Sequence, residues 1–192
     1  MSSSQHAGSG RIRIIGGNLR NSRLRVPELP GLRPTPERVR ETVFNWLAPV
    51  LAGARCLDLC AGTGALGIEA RSRGAASVQF VERDARAAQA LRENLARLRL
   101  EAFVATLDAA AFLRGPAHAF DLVFLDPPFA SAQWAELANQ LEAGGWLAAN
   151  ALIYVESPRA GAPGLPANWV THREAQAGEV RFALYRRWLP LS

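Results

Sequence analysis

The sequence predicts an α/β fold: a Rossmann-like, doubly wound, mostly parallel sheet closed by a C-terminal antiparallel hairpin and preceded by an N-terminal β-hairpin and helix. Three observations predict it. From Arg55 onward, short apolar runs alternate with longer amphipathic stretches, the pattern of parallel strands covered by helices on both faces. The first run enters Gly62-x-Gly64-x-x-Gly67, where glycines let backbone approach a ligand closely at a helix N-terminus. The fourth run, Phe120 to Leu125, stops at Asp126-Pro127-Pro128-Phe129. Proline fixes φ and lacks an N–H, and the residue before it is pushed out of the helical region. This corner therefore neither extends a ladder nor enters a helix.

Residues 1–10 are Ser/Gly-rich, lack a charged segment leading into an apolar one, and are expected to be a disordered tail. Residues 11–50 form a basic extension. Arg11-Ile12-Arg13-Ile14-Ile15 and Leu19 to Val26, on either side of Gly16-Gly17-Asn18, read as two short strands. Pro27, Pro30 and Gly31 mark a loop. Thr35 is the expected N-cap of a helix, Pro36 its first residue and Glu37 the acid of its first turn. That helix runs to about Leu47 or Ala48, with Val39, Val43, Trp46, Leu47 and Val50 as its apolar stripe. Arg38, Glu41 and Asn45 share the polar face.

Residues 51–192 carry the α/β domain. Strands are expected at 55–60, 77–82, 101–106, 120–125 and 151–156. Helices follow the glycine loop as far as Gly74, start at Asp84, run from Asp108 to Leu113, and run from Ala132 to Leu141. Trp169 to Ala175 and Glu179 to Arg187, joined at Gly178, form the final hairpin.

A length of 192 residues suits one domain with a substantial core. No apolar run reaches the roughly 18 residues that span a bilayer. Cys56 and Cys60, both placed on the first strand of the sheet, are about 13 Å apart if extended, beyond disulfide reach. Two cysteines without nearby histidines make no zinc site, and His6, His118 and His172 are scattered. Packed thiols, exposed imidazoles, no metal and a reducing cytoplasm are expected. The net charge of +5 is concentrated at one end. Residues 1–40 hold eight arginines against Glu28 and Glu37, whereas the remainder holds fourteen arginines against fifteen acids. A basic arm attracts phosphate backbones, and Arg20, Arg23, Arg25, Arg33, Arg38 and Arg40 are its candidate nucleic-acid contacts.

Ligands of open α/β sheets bind beyond the carboxyl ends of the strands, where the strand order reverses. Asp58, Glu82, Asp108 and Asp126 fall at such ends, with Gly62, and are expected to converge on one crevice. Asp58, four residues before Gly62, would repel a pyrophosphate and suits a ligand carrying an ammonium. Glu82 stands where a ribose-diol acceptor sits in doubly wound folds. At 126–129, a carboxylate and free carbonyls beside an aromatic face suit a planar amine.

The Asp58-x-x-x-Gly62-x-Gly64 loop, Glu82 and Asp126-Pro127-Pro128-Phe129 together resemble class I S-adenosylmethionine-dependent methyltransferases. The stretch Gly31-Leu32-Arg33-Pro34-Thr35-Pro36-Glu37-Arg38-Val39-Arg40-Glu41-Thr42-Val43-Phe44-Asn45-Trp46-Leu47 resembles the signature of the RsmD family, bacterial 16S rRNA guanine 2-amino methyltransferases. The resemblance runs from about Arg13 to Arg187. It implies S-adenosylmethionine as cofactor, with Glu82 on the ribose hydroxyls, Asp108 on the adenine amine and Ala109 beside the adenine. Gly62 and Gly64 would back the methionine portion and Asp58 would lie near its ammonium, with Ala61 and Arg83 also in the cofactor site. The catalytic set is Asp126, Pro127, Pro128 and Phe129, and the helix from Pro36 closes over cofactor and base. The implied target is guanine 966 of 16S rRNA, within an assembling small subunit. A cytoplasmic monomer with no membrane partner is expected.

The chemistry fits. The exocyclic amine of guanine is a poor nucleophile because its lone pair is delocalised into the ring. Asp126 and the Pro127 carbonyl can accept its two protons, a preplaced carboxylate stabilises the growing positive charge, and Phe129 can stack on the base. Guanine offers two adjacent donors that an acceptor-only carboxylate matches, whereas adenine suits an asparagine better. A DNA adenine-amine methyltransferase usually needs an added recognition domain, and a protein glutamine methyltransferase carries Asn where this chain has Asp126. A non-catalytic RNA-binding module would not need Asp58, Glu82 and Asp126 intact. An NAD-linked oxidoreductase lacks any hydride-site constellation here.

Overall fold

Five parallel strands and two antiparallel ones make the central sheet of this computed structural model, which describes residues 10–161 and 163–189. All but the last residue of the expected tail, and His6, lie outside the described residues. The sheet strands are β3 (Arg55–Asp58), β4 (Ser77–Val81), β5 (Phe103–Ala105), β6 (Phe120–Leu125), β7 (Leu147–Pro158), β8 (Trp169–Ala177) and β9 (Val180–Arg187), in the spatial order β5-β4-β3-β6-β7-β9-β8. The chain steps outward from β3 to β5, then returns to lay β6 on the other side of β3. The strand order therefore reverses between β3 and β6.

Helices cover both faces. Alternate residues of one strand enter different cores: Cys56, Leu122 and Phe124 pack on one side, and Leu57, Val123 and Leu125 on the other. The first side is closed by α1 (Glu37–Leu47), α2 (Ala65–Ser72) and α3 (Ala85–Arg97), through Val43, Phe44, Ile68 and Leu91. The second is closed by α4 (Ala109–Leu113) and α5 (Trp134–Ala143), through Leu113, Leu137 and Leu141. Strands buried on both faces read as nearly continuous apolar runs, and Leu122 to Leu125 is such a run, which is why β6 is so legible. Among the described residues, no helix is long and apolar enough to cross a membrane.

The N-terminal extension packs into the first core. Its strands β1 (Arg11–Arg13) and β2 (Arg23–Arg25) pair antiparallel, burying Ile12 and Leu24 and exposing Arg11, Arg13, Arg23 and Arg25. The anchor is Glu69 on α2, which is 0% exposed. It accepts the backbone N–H of Ile15 at 2.9 Å and of Gly16 at 2.8 Å, and the Arg73 Nε–H at 2.8 Å, and it lies 3.5 Å from Arg40. Ser72 adds an acceptor for Leu19 N–H at 2.9 Å.

Several expectations are corrected. Pro36, not Thr35, caps α1, because the Thr35 hydroxyl is used instead to bond Glu156 at 2.8 Å. The buried stripe of α1 includes Phe44 and excludes Val50, which lies past the helix end and is 47% exposed. Strand β7 starts four residues before the apolar run at Ala151, made possible by a bulge in its pairing with β6. Helix α5 begins at Trp134 rather than Ala132, which takes a left-handed φ of 49° after a short 3-10 turn. Cys60 lies just beyond β3, partly exposed, while Cys56 is buried on it; both are free. His172 is partly buried rather than exposed.

Candidate active site

The parallel strands deliver their acids to one edge. Asp58 is the last residue of β3, and Glu82 and Asp126 immediately follow β4 and β6. Asp108 caps α4, and Glu156 lies near the end of β7. The reversal between β3 and β6 puts Asp58 and Asp126 on neighbouring strands, where an open α/β sheet forms its crevice.

The glycine turn after β3 is fixed by these acids. Gly62 has a φ of 52° and Gly64 of 74°, left-handed values that L side chains rarely take. The Gly62 N–H donates to Glu82 Oε2 at 2.8 Å, while Glu82 Oε1 accepts from Asp84 N–H at 2.8 Å. A Cβ on Gly62 would come within 3.1 Å of the Leu32 side chain, so the extension loop lies over the turn. Gly67 lets α2 sit directly on the sheet: a Cβ there would lie 2.8 Å from Phe80 Cζ and 2.9 Å from Val78 Cγ1.

Asp58 is 3% exposed and accepts the Gly67 N–H at 3.0 Å. Burial pushes its carboxyl up to about 7, against the pull of that hydrogen bond and with the help of the Glu82 charge. In a dinucleotide site the first turn of this helix would face a pyrophosphate. Here a carboxylate already takes one of its N–H groups. Asp108 uses Oδ1 to accept from Ala110 N–H at 2.9 Å and Ala111 N–H at 3.2 Å, leaving Oδ2 available. Ala61 and Ala109 are buried, and Arg83 is exposed.

At the tip of β6, Asp126 is partly exposed, Pro127 is buried, and Phe129 is 40% exposed with its ring 5.7 Å from Trp134. One expected carbonyl acceptor is lost. The Pro128 oxygen is taken by Ser131 N–H at 2.9 Å and Ser131 O–H at 2.7 Å, which makes the 3-10 turn. Burial, then the charges of Glu156 and Asp58, hold Asp126 well above the usual carboxylate range.

Glu156 escaped the sequence reading, although an acid closing an apolar run is the same signal that marks Asp126. It follows Val155, which pairs with Leu125, so the two acids sit side by side beyond the ladder. Its Oε1 accepts the hydroxyls of Tyr154 and Thr35, both at 2.8 Å, and its carbonyl accepts the Trp134 indole N–H at 2.7 Å.

The arginines divide. Arg20, Arg23, Arg25, Arg33 and Arg38 are exposed. Arg40 is not available to RNA: it is 2% exposed and donates to the carbonyls of Thr35 at 3.2 Å and Arg13 at 3.0 Å while pairing with Glu69. It stands next to the apolar Val39 on α1, and the helical period turns it inward. Arg11 and Arg13 join the exposed group on the ribbon, Arg13 pairing with Glu37.

The crevice is rich in acceptors, and the one arginine next in sequence to its acids, Arg83 beside Glu82, is exposed. Such a crevice suits a ligand with hydroxyls, an amine and positive charge, and opposes a diphosphate. No group of three or more His, Cys, Asp or Glu among the described residues is placed to hold a metal ion.

Comparison with known proteins gives the family and the fold. The family model described as Conserved hypothetical protein 95 matches residues 12–186. The chain is 52% identical over 189 residues to Ribosomal RNA small subunit methyltransferase D of Escherichia coli, covering 97% of this chain and 96% of that one. The protein of the same name from Haemophilus influenzae is 42% identical over 182 residues, with 92% and 94% covered. The solved structure of yhhF, an Escherichia coli protein described as a methyltransferase, superposes with a TM-score of 0.88 at 49% identity, covering 94% of this chain and 99% of that one.

Proposed function

This chain belongs to the family described as Conserved hypothetical protein 95, and from that premise we propose that it methylates the 2-amino group of a guanine in small-subunit rRNA, of the guanine 966 type, using S-adenosylmethionine. The observation that carries this reading is the tip of β6. Among the described residues no donor engages the Asp126 carboxylate, which stands at the switch point, one strand from the glycine turn, with a half-exposed aromatic ring three residues on.

The residues fit the cofactor. Glu82 and Asp108 each keep acceptor capacity for hydroxyl or amine donors, Gly62 and Gly64 leave the turn without side chains, and Asp58 offers negative charge to an ammonium. When bound, S-adenosylmethionine would supply an electrophilic methyl group to the amine nitrogen, its sulfonium leaving as a neutral thioether. Asp126 and the Pro127 carbonyl take the amine hydrogens and draw the nitrogen lone pair out of conjugation. As positive charge grows on that nitrogen, the Asp126 carboxylate stabilises it, then accepts the proton and returns it to water. Phe129 fixes the plane of the base by stacking. The ribbon bearing Arg11, Arg23 and Arg25, with Arg20, Arg33 and Arg38, binds phosphates. The reaction is cytoplasmic, on an assembling subunit, and the protein acts as a monomer.

The test is methyl transfer to small subunits from a deletion strain, with products read by nucleoside mass spectrometry. The expected product is 2-methylamino-guanine. Asp126→Asn should lower the single-turnover rate on the order of 10²–10⁴-fold, about 3–5 kcal/mol, with cofactor affinity nearly unchanged. Full activity in that variant removes the amine-acceptor mechanism, and methylated adenine as the product moves the enzyme to another substrate.

A further inference from the structure

We propose that Glu156 is a positioning residue for methyl transfer: anchored by Tyr154 and Thr35, it holds a second carboxylate against Asp126 and so governs when Asp126 can accept the amine proton. This inference rests on the reading of Asp126 as the amine acceptor.

The geometry comes from the sheet. Leu125 and Val155 are partners on parallel strands, and Asp126 and Glu156 are the next residues on each. Aligned residues of a parallel pair point to the same face. The preceding members of that face, Phe124 and Tyr154, meet edge to face at 6.1 Å. Asp126 and Glu156 therefore leave the sheet together, on the side covered by α1.

Two neutral donors act on Glu156, the Tyr154 and Thr35 hydroxyls, both on Oε1 at 2.8 Å. Hydrogen bonds from neutral donors favour the ionised carboxylate. Among the described residues Asp126 meets no such donors, and the charged groups facing it are Glu156 from β7 and Asp58 from β3. Cys60 and Tyr154 lie within the reach of its charge. A proton shared by the two acids therefore resides on Asp126, and the negative charge on Glu156. Burial raises both. Such a pair titrates as a unit. Removing the Glu156 charge should free Asp126 to ionise at lower pH.

Thr35 gives the arrangement a second consequence. It belongs to the extension loop that carries Leu32 over the glycine turn, and its carbonyl accepts from Arg40. Seating the loop completes the anchor of Glu156, so the acceptor is tuned only when the extension is in place.

Glu156→Gln is the decisive variant, because its amide oxygen can still accept both hydroxyls while the charge is gone. The acid limb of the single-turnover rate–pH profile on small subunits should move down by about one pH unit, the scale of coupling that defines an interacting pair. A purely structural glutamate would leave that limb in place. Carbon-13 carboxylate NMR of the cofactor-free protein provides a readout independent of activity, with Asp126→Asn identifying the resonance. Asp126 should titrate at lower pH in Glu156→Gln. Tyr154→Phe, which weakens the anchor and draws the shared proton toward Glu156, should move it the same way by less. Unmoved Asp126 titration in both variants overturns the inference. Loss of rRNA methylation in the wild type would instead strike at the enzyme reading, while the NMR titration would still judge the carboxyl pair.

Discussion

Removing the Glu69 carboxylate, as in Glu69→Ala, should release the N-terminal extension from the sheet domain. Glu69 is fully buried and meets the N–H groups of Ile15 and Gly16 and the guanidinium groups of Arg40 and Arg73. Arg40 is buried as well, and burial lowers its proton affinity while the Glu69 charge offsets part of that loss. Without Glu69 an enclosed cation loses its carboxylate, a change that costs about 3–5 kcal/mol. Two backbone donors also lose their acceptor, at about 1–3 kcal/mol each if they stayed dry. These terms do not add, because the extension can lift and let water reach all of them. The observable loss therefore saturates at the cost of undocking, so the sheet domain should stay folded while the extension opens. Trypsin should then cut rapidly at Arg11, Arg13, Arg20, Arg23 and Arg25, which are exposed but held in the wild type. KM for the rRNA substrate should rise, with cofactor affinity little changed. A Glu69→Ala protein with wild-type tryptic kinetics and thermal midpoint would refute the clasp.

Gly67→Ala should lower the denaturant midpoint by the equivalent of about 1–3 kcal/mol, the cost of overpacking against the buried Phe80 ring; an unchanged midpoint would show that α2 is free to shift. Asp58 titrates near 7 when folded, above its unfolded value, so its stabilising contribution is complete below about pH 4 and is lost as the pH rises through 7. Urea midpoints from pH 4 to 8 should thus fall less in Asp58→Asn than in the wild type, by at most about 4 kcal/mol, and parallel curves would deny the shift. Reversing Arg20, Arg23 and Arg25 to Glu should weaken subunit binding and flatten its dependence on salt, without touching cofactor affinity; an unaltered slope would leave these arginines a solvated surface.

The sequence by itself determined the strand order's chemistry more firmly than its geometry. An apolar run broken only by Asp121 near its start is buried on both faces from Leu122 to Leu125, so β6 is read to the residue. The caps at Asp84 and Asp108 are local events, a side chain closing on N–H groups two and three residues ahead, and they too are visible in one dimension. The acids at the strand ends follow from topology, since parallel strands must end on the same edge. What the sequence could not decide is where a polar group finds a partner far away in the chain. Thr35 has the local signature of an N-cap but is used 121 residues away, on Glu156. Arg40 has the composition of an RNA contact, yet the helical turn faces it toward Glu69, 29 residues on. Glu156 gains its place beside Asp126 only through the register of β6 and β7. Each of these depends on the free energy of burying charge, which is prohibitive alone and tolerable only once the fold has brought the partner.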